Sequence, residues 1–129
     1  MVILIGSNPS ERSMHQQAFS EDTYSGKRLR NWLCQVGVDT FVTANVYDYP
    51  TDNNRPLKAS EIRENIPELK RKIHGYDKVV AVGKTAERAL EMCGIEFHTI
   101  EHPSGCNRKL NDDAYVQKML SKFKNFCDR

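Results

Sequence analysis

Nowhere in its 129 residues does the sequence hold an apolar run near the ~20 residues of a membrane-spanning helix, so that architecture is excluded. No two of its four cysteines, Cys34, Cys93, Cys106 and Cys127, are spaced as Cys-x-x-Cys, which leaves a zinc ribbon or a thioredoxin-like pair without support. The apolar start, Met1 to Gly6, has no basic flank and is too short for a secretory signal. It reads as a buried strand, and an intracellular, cytoplasmic protein without a disulfide framework is expected. Charge of one sign is lacking as well: 19 Lys and Arg against 17 Asp and Glu leave +2. That balance permits a nucleic-acid partner without demanding one. A phosphate-binding P-loop is incomplete, because Val82-Gly83-Lys84-Thr85 has the tail of the motif but Lys78 stands where its first glycine belongs. Cys93, His98, His102 and Cys106 have a finger-like spacing. The run 96–101 reads as extended, however, and residues four apart on a strand are ~13 Å apart, too far to share one zinc ion. No metal site is expected.

What is present is a globular balance, 39% hydrophobic and 28% charged, in a length that suits a single domain over 1–129. Four strand patterns alternate with four helix patterns. Strands are expected at Val2–Gly6, Thr40–Val46, Lys78–Val82 and Phe97–Ile100. Helices are expected at Tyr24–Val36, with Leu29, Trp32, Leu33 and Val36 on one face; Ser60–Ile73, capped by Ser60 and kinked by Pro67; Thr85–Cys93; and Asp112–Phe126, with Ala114, Val116, Met119, Leu120 and Phe123 toward the core. Gly37 and Gly94 suit helix ends. The segment Tyr47–Lys58 is a long loop of turn formers. Such alternation argues a three-layer α/β/α fold around a parallel four-stranded sheet. Ligands of such sheets sit beyond the carboxyl ends of the strands, which directs attention to the loops after Ile5, Ala44, Val82 and Ile100.

In the first loop, Gly6-Ser7-Asn8-Pro9-Ser10, glycine permits a sharp turn and Pro9 holds Asn8 extended. Its amide then serves either a ligand or an Asx-type turn. In Thr43-Ala44-Asn45-Val46, the Asn45 amide suits a base edge, or else pairs with loop backbone. Gly83-Lys84 reads as a strand-to-helix turn with glycine for close packing. His102-Pro103-Ser104-Gly105-Cys106-Asn107-Arg108 places a histidine at a strand end before a tight turn.

Taken in order, these loops make the whole chain resemble the uracil-DNA glycosylase superfamily. Gly6-Ser7-Asn8-Pro9-Ser10 looks like the first motif in the GxNP form of its mismatch-specific and single-strand-selective branches, and His102-Pro103-Ser104-Gly105-Cys106-Asn107-Arg108 looks like the second. Ser25-Gly26-Lys27-Arg28-Leu29-Arg30 and Ala44-Asn45-Val46 are similar to the thermostable branch. That branch's iron–sulfur cluster requires an N-terminal cysteine pair that has no counterpart here, so no cluster or other cofactor is expected. The chain is also shorter than usual members.

The resemblance implies a monofunctional base-excision glycosylase that hydrolyses the N-glycosidic bond of uracil or a 5-substituted uracil in DNA. It makes Asn8 and His102 the catalytic pair, Asn8 orienting water and His102 donating to a pyrimidine carbonyl. Gly6, Ser7, Ser10, Phe19 and Asn45 would hold the base, with Phe19 stacking on it. Ser104, Gly105, Cys106, Asn107, Arg108 and Lys109 would meet DNA, with Cys106 a small wedge. Lys27, Arg28 and Arg30 are further phosphate candidates. In the classical uracil-specific branch a bulky tyrosine follows the motif's proline; Ser10 in its place leaves room at carbon 5. Tyr47 is the alternative guard of that space. The partner is DNA, single-stranded or duplex with a flipped base, and a monomer is expected. Two other readings stay open: processing of a modified nucleotide or nucleoside, and a non-catalytic nucleotide- or nucleic-acid-binding module that retains the pocket.

Overall fold

The computed structural model of the protein describes residues 1–9 and 18–129. Its centre is a four-stranded, all-parallel sheet built from β1 (Val2–Gly6), β2 (Phe41–Asn45), β3 (Lys78–Val82) and β4 (His98–Ile100), in the order β2-β1-β3-β4. The helices are α1 (Tyr24–Val36), α2 (Ala59–Glu64), α3 (Ile66–Ile73), α4 (Lys84–Cys93) and α5 (Asp113–Cys127).

Strand periodicity divides the core into two layers. Val2 and Leu4 of β1 and Val80 and Val82 of β3 face α1 and α5, where Leu29, Trp32, Leu33, Leu120 and Phe123 are buried. Ile3, Ile5, Val79 and Ala81 point the other way, onto Ile62, Leu69, Ile73, Ala86, Ala89 and Leu90 of α2 to α4. Both central strands are buried on both faces, which explains their continuous apolar runs. This is the expected α/β/α fold with its parallel four-stranded sheet.

Element ends follow their local chemistry. Thr23 caps α1, its hydroxyl accepting from Gly26 N–H at 3.0 Å, and Gly37 closes that helix at φ 81°. Asp112 caps α5 by accepting from Tyr115 N–H at 3.3 Å. Three sequence expectations need correction. The helix over 60–73 is two helices, broken at Asn65 (φ −98°, ψ 0°), because Pro67 has no N–H and its ring clashes with the carbonyl four residues back. Proline is tolerated at the start of a helix, and there the chain places it. Ser60 is not the cap but lies inside α2; the cap position is Lys58, whose N–H donates to Glu61 at 2.8 Å. Ala114 is exposed at the start of α5 rather than in the core.

The zinc-like quartet is split between layers. Cys93 is buried with the α2–α4 layer, whereas the His98 ring stacks on Phe126 at 5.1 Å and Phe123 at 6.1 Å in the other.

The order β2-β1-β3-β4 places the topological switch between β1 and β3. Chain connections diverge there, and a crevice opens at the carboxyl ends of the strands.

Candidate active site

Asn45 pairs in register with Gly6, so the ends of β1 and β2 stand side by side. The pairing continues upward, Val46 N–H donating to Gly6 O at 2.9 Å and Tyr47 N–H to Ser7 O at 3.0 Å. Above this edge Ser7, Asn8, Pro9, Phe19, Asn45 and His102, with Ala18, Ser20, Thr23 and Ser25, line a cleft of about 190 Å³. Gly6 keeps it open. A Cβ there would stand 2.8 Å from the Phe19 ring and 2.9 Å from Asn45 Oδ1, closer than real contacts allow.

The Asn8 amide is oriented by two bonds. Its Nδ2 donates to Tyr49 O at 3.2 Å and its Oδ1 accepts from Ser7 Oγ at 2.9 Å. A carbonyl can only accept, so the nitrogen is the atom that faces Tyr49. Among the described residues these two bonds leave one amide hydrogen and one oxygen lone pair for a ligand. The Asn45 side chain lines the same cleft, and its amide has both donors and an acceptor to offer.

His102 is held by its own loop. Ser104 N–H donates to Nδ1 at 3.1 Å, and because an amide N–H cannot accept, Nδ1 carries a lone pair. The neutral ring therefore bears its proton on Nε2. Burial pushes the pKa below the ordinary histidine value, so the ring is neutral at pH 7. Gly83 supports it from behind, at φ 93° and with room for no more than a tight contact: a Cβ there would lie 3.3 Å from His102 Cβ. The expected role of Gly83 as a close-packing turn is what the structure has. Asn107 Nδ2 ties the loop down, donating to His102 O at 3.1 Å and Glu101 Oε1 at 3.2 Å, while Tyr115 Oη donates to Glu101 Oε2 at 2.9 Å. Burial opposes the charge on Glu101, but the bonds from Asn107 and Tyr115 outweigh it and hold the carboxyl below its usual range.

Phe19 completes the cleft. It sits at φ 53°, in the left-handed region that non-glycine residues seldom adopt, with its ring 5.6 Å from His102 and tilted 53°. The surroundings over-determine this conformation. Arg30 donates to the carbonyls of Phe19 and Gly26, and Thr23 Oγ1 donates to Ser20 O at 2.7 Å. Gly26 lets α1 approach the 19–20 turn so closely that a Cβ would lie 1.9 Å from Ser20 O.

These groups provide an aromatic face, two amides and a neutral imidazole donor. Among the described lining residues there is no carboxylate, thiol or amine to act as base or nucleophile. The site is equipped to hold a flat polar ring and to stabilise charge developing on one of its oxygens.

The family model of the uracil DNA glycosylase superfamily matches residues 1–124. The chain belongs to that superfamily. A search of the curated proteins gives no match.

Of the residues that likeness to the glycosylase superfamily singles out, Gly6, Ser7, Asn8, Phe19, Asn45 and His102 come together at the cleft. Ser10 lies outside the described residues. Gly105, Cys106, Arg108 and Lys109 are exposed on the rim, and Ser104 shapes the turn, its N–H on His102 and its Oγ accepting from Cys106 N–H at 3.2 Å. Asn107, expected to meet DNA, spends its amide on the loop itself. Arg30, a phosphate candidate in the sequence, is likewise engaged within the fold. Its guanidinium braces Phe19 and lies 5.5 Å over the Phe41 ring. Arg28 is half-buried over Tyr24 (5.8 Å) and Trp32 (5.9 Å), and Lys27 is exposed. Tyr47 packs toward the α2–α4 layer and is not among the residues lining the cleft. The four cysteines stand on α1, α4, the 102–108 loop and α5, and among the described residues no three metal-ligating side chains gather.

Sequence reasoning missed four contributors. Gly26 had a legible signal, a glycine in the first turn of an otherwise good helix. Glu101, just after β4, and Tyr115, fourteen residues on in the first turn of α5, had none. Neither did Lys72, whose Nζ donates to Asn45 O at 2.9 Å and Asp48 at 2.7 Å and so steadies the end of β2.

Proposed function

We propose that the protein is a monofunctional DNA glycosylase of the base-excision type, acting on uracil or a 5-substituted uracil as a single monomeric domain over 1–129. The observation that carries this reading is the fixed tautomer of His102 in a cleft shared with Asn8, Asn45 and Phe19. Breaking the N-glycosidic bond leaves an oxocarbenium-like sugar and a pyrimidine anion. A neutral Nε2–H donor stabilises that anion as its carbonyl oxygen gains charge, an effect worth about 3 kcal/mol for one donor. Asn8 is a poor base, and its oriented amide instead positions the water that adds to the sugar carbon. The C–N bond breaks, a C–O bond to water forms, and the proton released from water balances the departing base anion. Asn45 reads the base edge and Phe19 stacks on its face. A base inside a duplex is out of reach of such a cleft and must be flipped or presented unpaired.

Ser10, in place of the bulky tyrosine of the classical branch, extends the reading to 5-substituted bases such as 5-hydroxymethyluracil. Tyr47 packs elsewhere, which supports an open carbon-5 side. Selectivity against such a substituent would be modest, about 1–3 kcal/mol.

The test is single-turnover excision from single-stranded and mismatched oligonucleotides carrying uracil or 5-hydroxymethyluracil. Excision by the wild type is expected, with His102→Ala slowed about a hundredfold or more and Asn8→Ala slowed as well. Complete inactivity of the wild type on every substrate sinks the glycosylase reading and favours a binding module.

A further inference from the structure

Two of the most exposed large side chains flank the cleft. Tyr49 is 68% exposed and Tyr24 is 64% exposed. Leaving an aromatic ring in water forfeits its burial, so a pair of them at one rim invites a partner with flat faces. Tyr49 stands on the β1–β2 side: its carbonyl holds the Asn8 amide, and its ring meets the Tyr47 ring at 5.8 Å in a T-shaped contact. Tyr24 stands on the opposite, His102 side. It lies between Thr23 and Ser25, which line the cleft, and a Cβ on Gly105 would be 3.5 Å from its ring. The cleft therefore has an exposed ring at each end.

Charge is distributed unevenly along the same rim. Arg28 lies over the Tyr24 ring and donates to Leu110 O at 3.4 Å, which brings it to the exposed Arg108 and Lys109. Beside Tyr49 the charges are Asp48 and Asp52, with Lys72 already paired to Asp48 and Arg55 to Glu61. The tip of the 102–108 loop offers Gly105 and Cys106. Neither has the bulk of the apolar wedges that hold duplex base steps apart.

We propose that Tyr24 and Tyr49 are stacking platforms for the nucleotides on either side of the cleft-bound one, and that the protein takes DNA as a single strand. The proposal rests on the cleft being a base pocket, as argued above. Unpaired bases have free π-faces, and stacking on aromatic side chains is the sequence-tolerant way to hold them. Paired bases have no such faces, and among the described residues the rim's basic groups outside ion pairs stand at the Tyr24 end, where they grip few duplex phosphates.

The experiment is fluorescence anisotropy with the full chain and a labelled thymine 11-mer, free or paired with its complement. Single-strand binding at least about tenfold tighter than duplex binding is expected. Tyr24→Ala and Tyr49→Ala should each weaken single-strand binding by about fivefold to a hundredfold, with Tyr24→Phe and Tyr49→Phe restoring it. Both rings are exposed, and circular dichroism checks that the variants remain folded. Variants within twofold of wild type, or a duplex bound as tightly as the single strand, overturn the proposal. Excision is read separately. Excision that ignores both tyrosines keeps the glycosylase and sinks the platforms, while tyrosine-dependent single-strand binding without excision does the reverse.

Discussion

At the scale of single residues, the two half-buried histidines of β4 and its loop are held neutral for different ends. In the proposed chemistry His102 is neutral in order to donate. His98 is neutral because it is packed, its ring stacked on Phe123 and Phe126; burial lowers its pKa, and Arg129 and Lys122 lower it further. A histidine whose folded pKa is depressed binds fewer protons in the folded chain than in the unfolded one. Its contribution is therefore intact above the unfolded pKa of about 6.5 and is lost as pH falls from there toward the folded value. Both histidines act in that direction. Urea midpoints measured between pH 7.5 and pH 5 should fall with acid, and His98→Phe, which keeps the stack, should flatten the dependence. An unchanged slope in that variant would place the acid sensitivity elsewhere.

Among elements, α1 has the most consequential placement. Its first turn carries Gly26 against the 19–20 turn, and one turn later Arg30 reaches back to hold Phe19 in its left-handed conformation. Gly26→Ala raises intrinsic helix propensity but puts a methyl 1.9 Å from Ser20 O. Overpacking of this kind costs about 1–3 kcal/mol, against about 1 kcal/mol gained from propensity. The expected result is a modest loss in thermal stability with a much larger loss in base binding, because the turn that gives way carries Phe19. Thermal unfolding and anisotropy on the same protein check it; binding that survives intact would detach Phe19 from the site. The break at Asn65 and the pairing of Arg55 with Glu61 belong to this scale too. The Arg55 guanidinium, with the Lys58 N–H, pulls the Glu61 carboxyl down to about 2 and anchors the end of the long 47–58 loop to α2.

For the molecule as a whole, the α1–α5 layer is organised around Phe123, fully buried beneath Leu4, Val80 and Ile100. Phe123→Ala should cost about 3–5 kcal/mol, the range for truncating a core phenylalanine. Denaturant unfolding measures it. The cost should fall on stability and leave the cleft at the far edge of the sheet working in whatever fraction is folded; specific activity lost beyond the folded fraction would mean the layers are coupled to the site. The switch between β1 and β3 is the whole-molecule reason for the cleft's position, and no single loop determines it.

Strand and helix identities were legible from the sequence because each central strand is buried on both faces and each helix has one apolar stripe; these are local patterns that the chain must carry to fold at all. Pairs of glycine, asparagine and histidine at strand ends pointed to the right edge of the sheet for the same reason, since parallel order sends every such end to one side. What sequence could not decide was which polar groups would be spent on structure. Arg30 and Asn107 read equally well as DNA contacts, and only packing turned one against Phe19 and the other against His102. The histidine tautomer, the brace from Tyr115 through Glu101, and the clearance at Gly6 and Gly26 likewise arise from groups far apart in the chain meeting within a few ångströms. Periodicity records which face a residue turns to; the partner waiting on that face is set by the sheet order and the close approach of helices, and these exist only once the chain is folded.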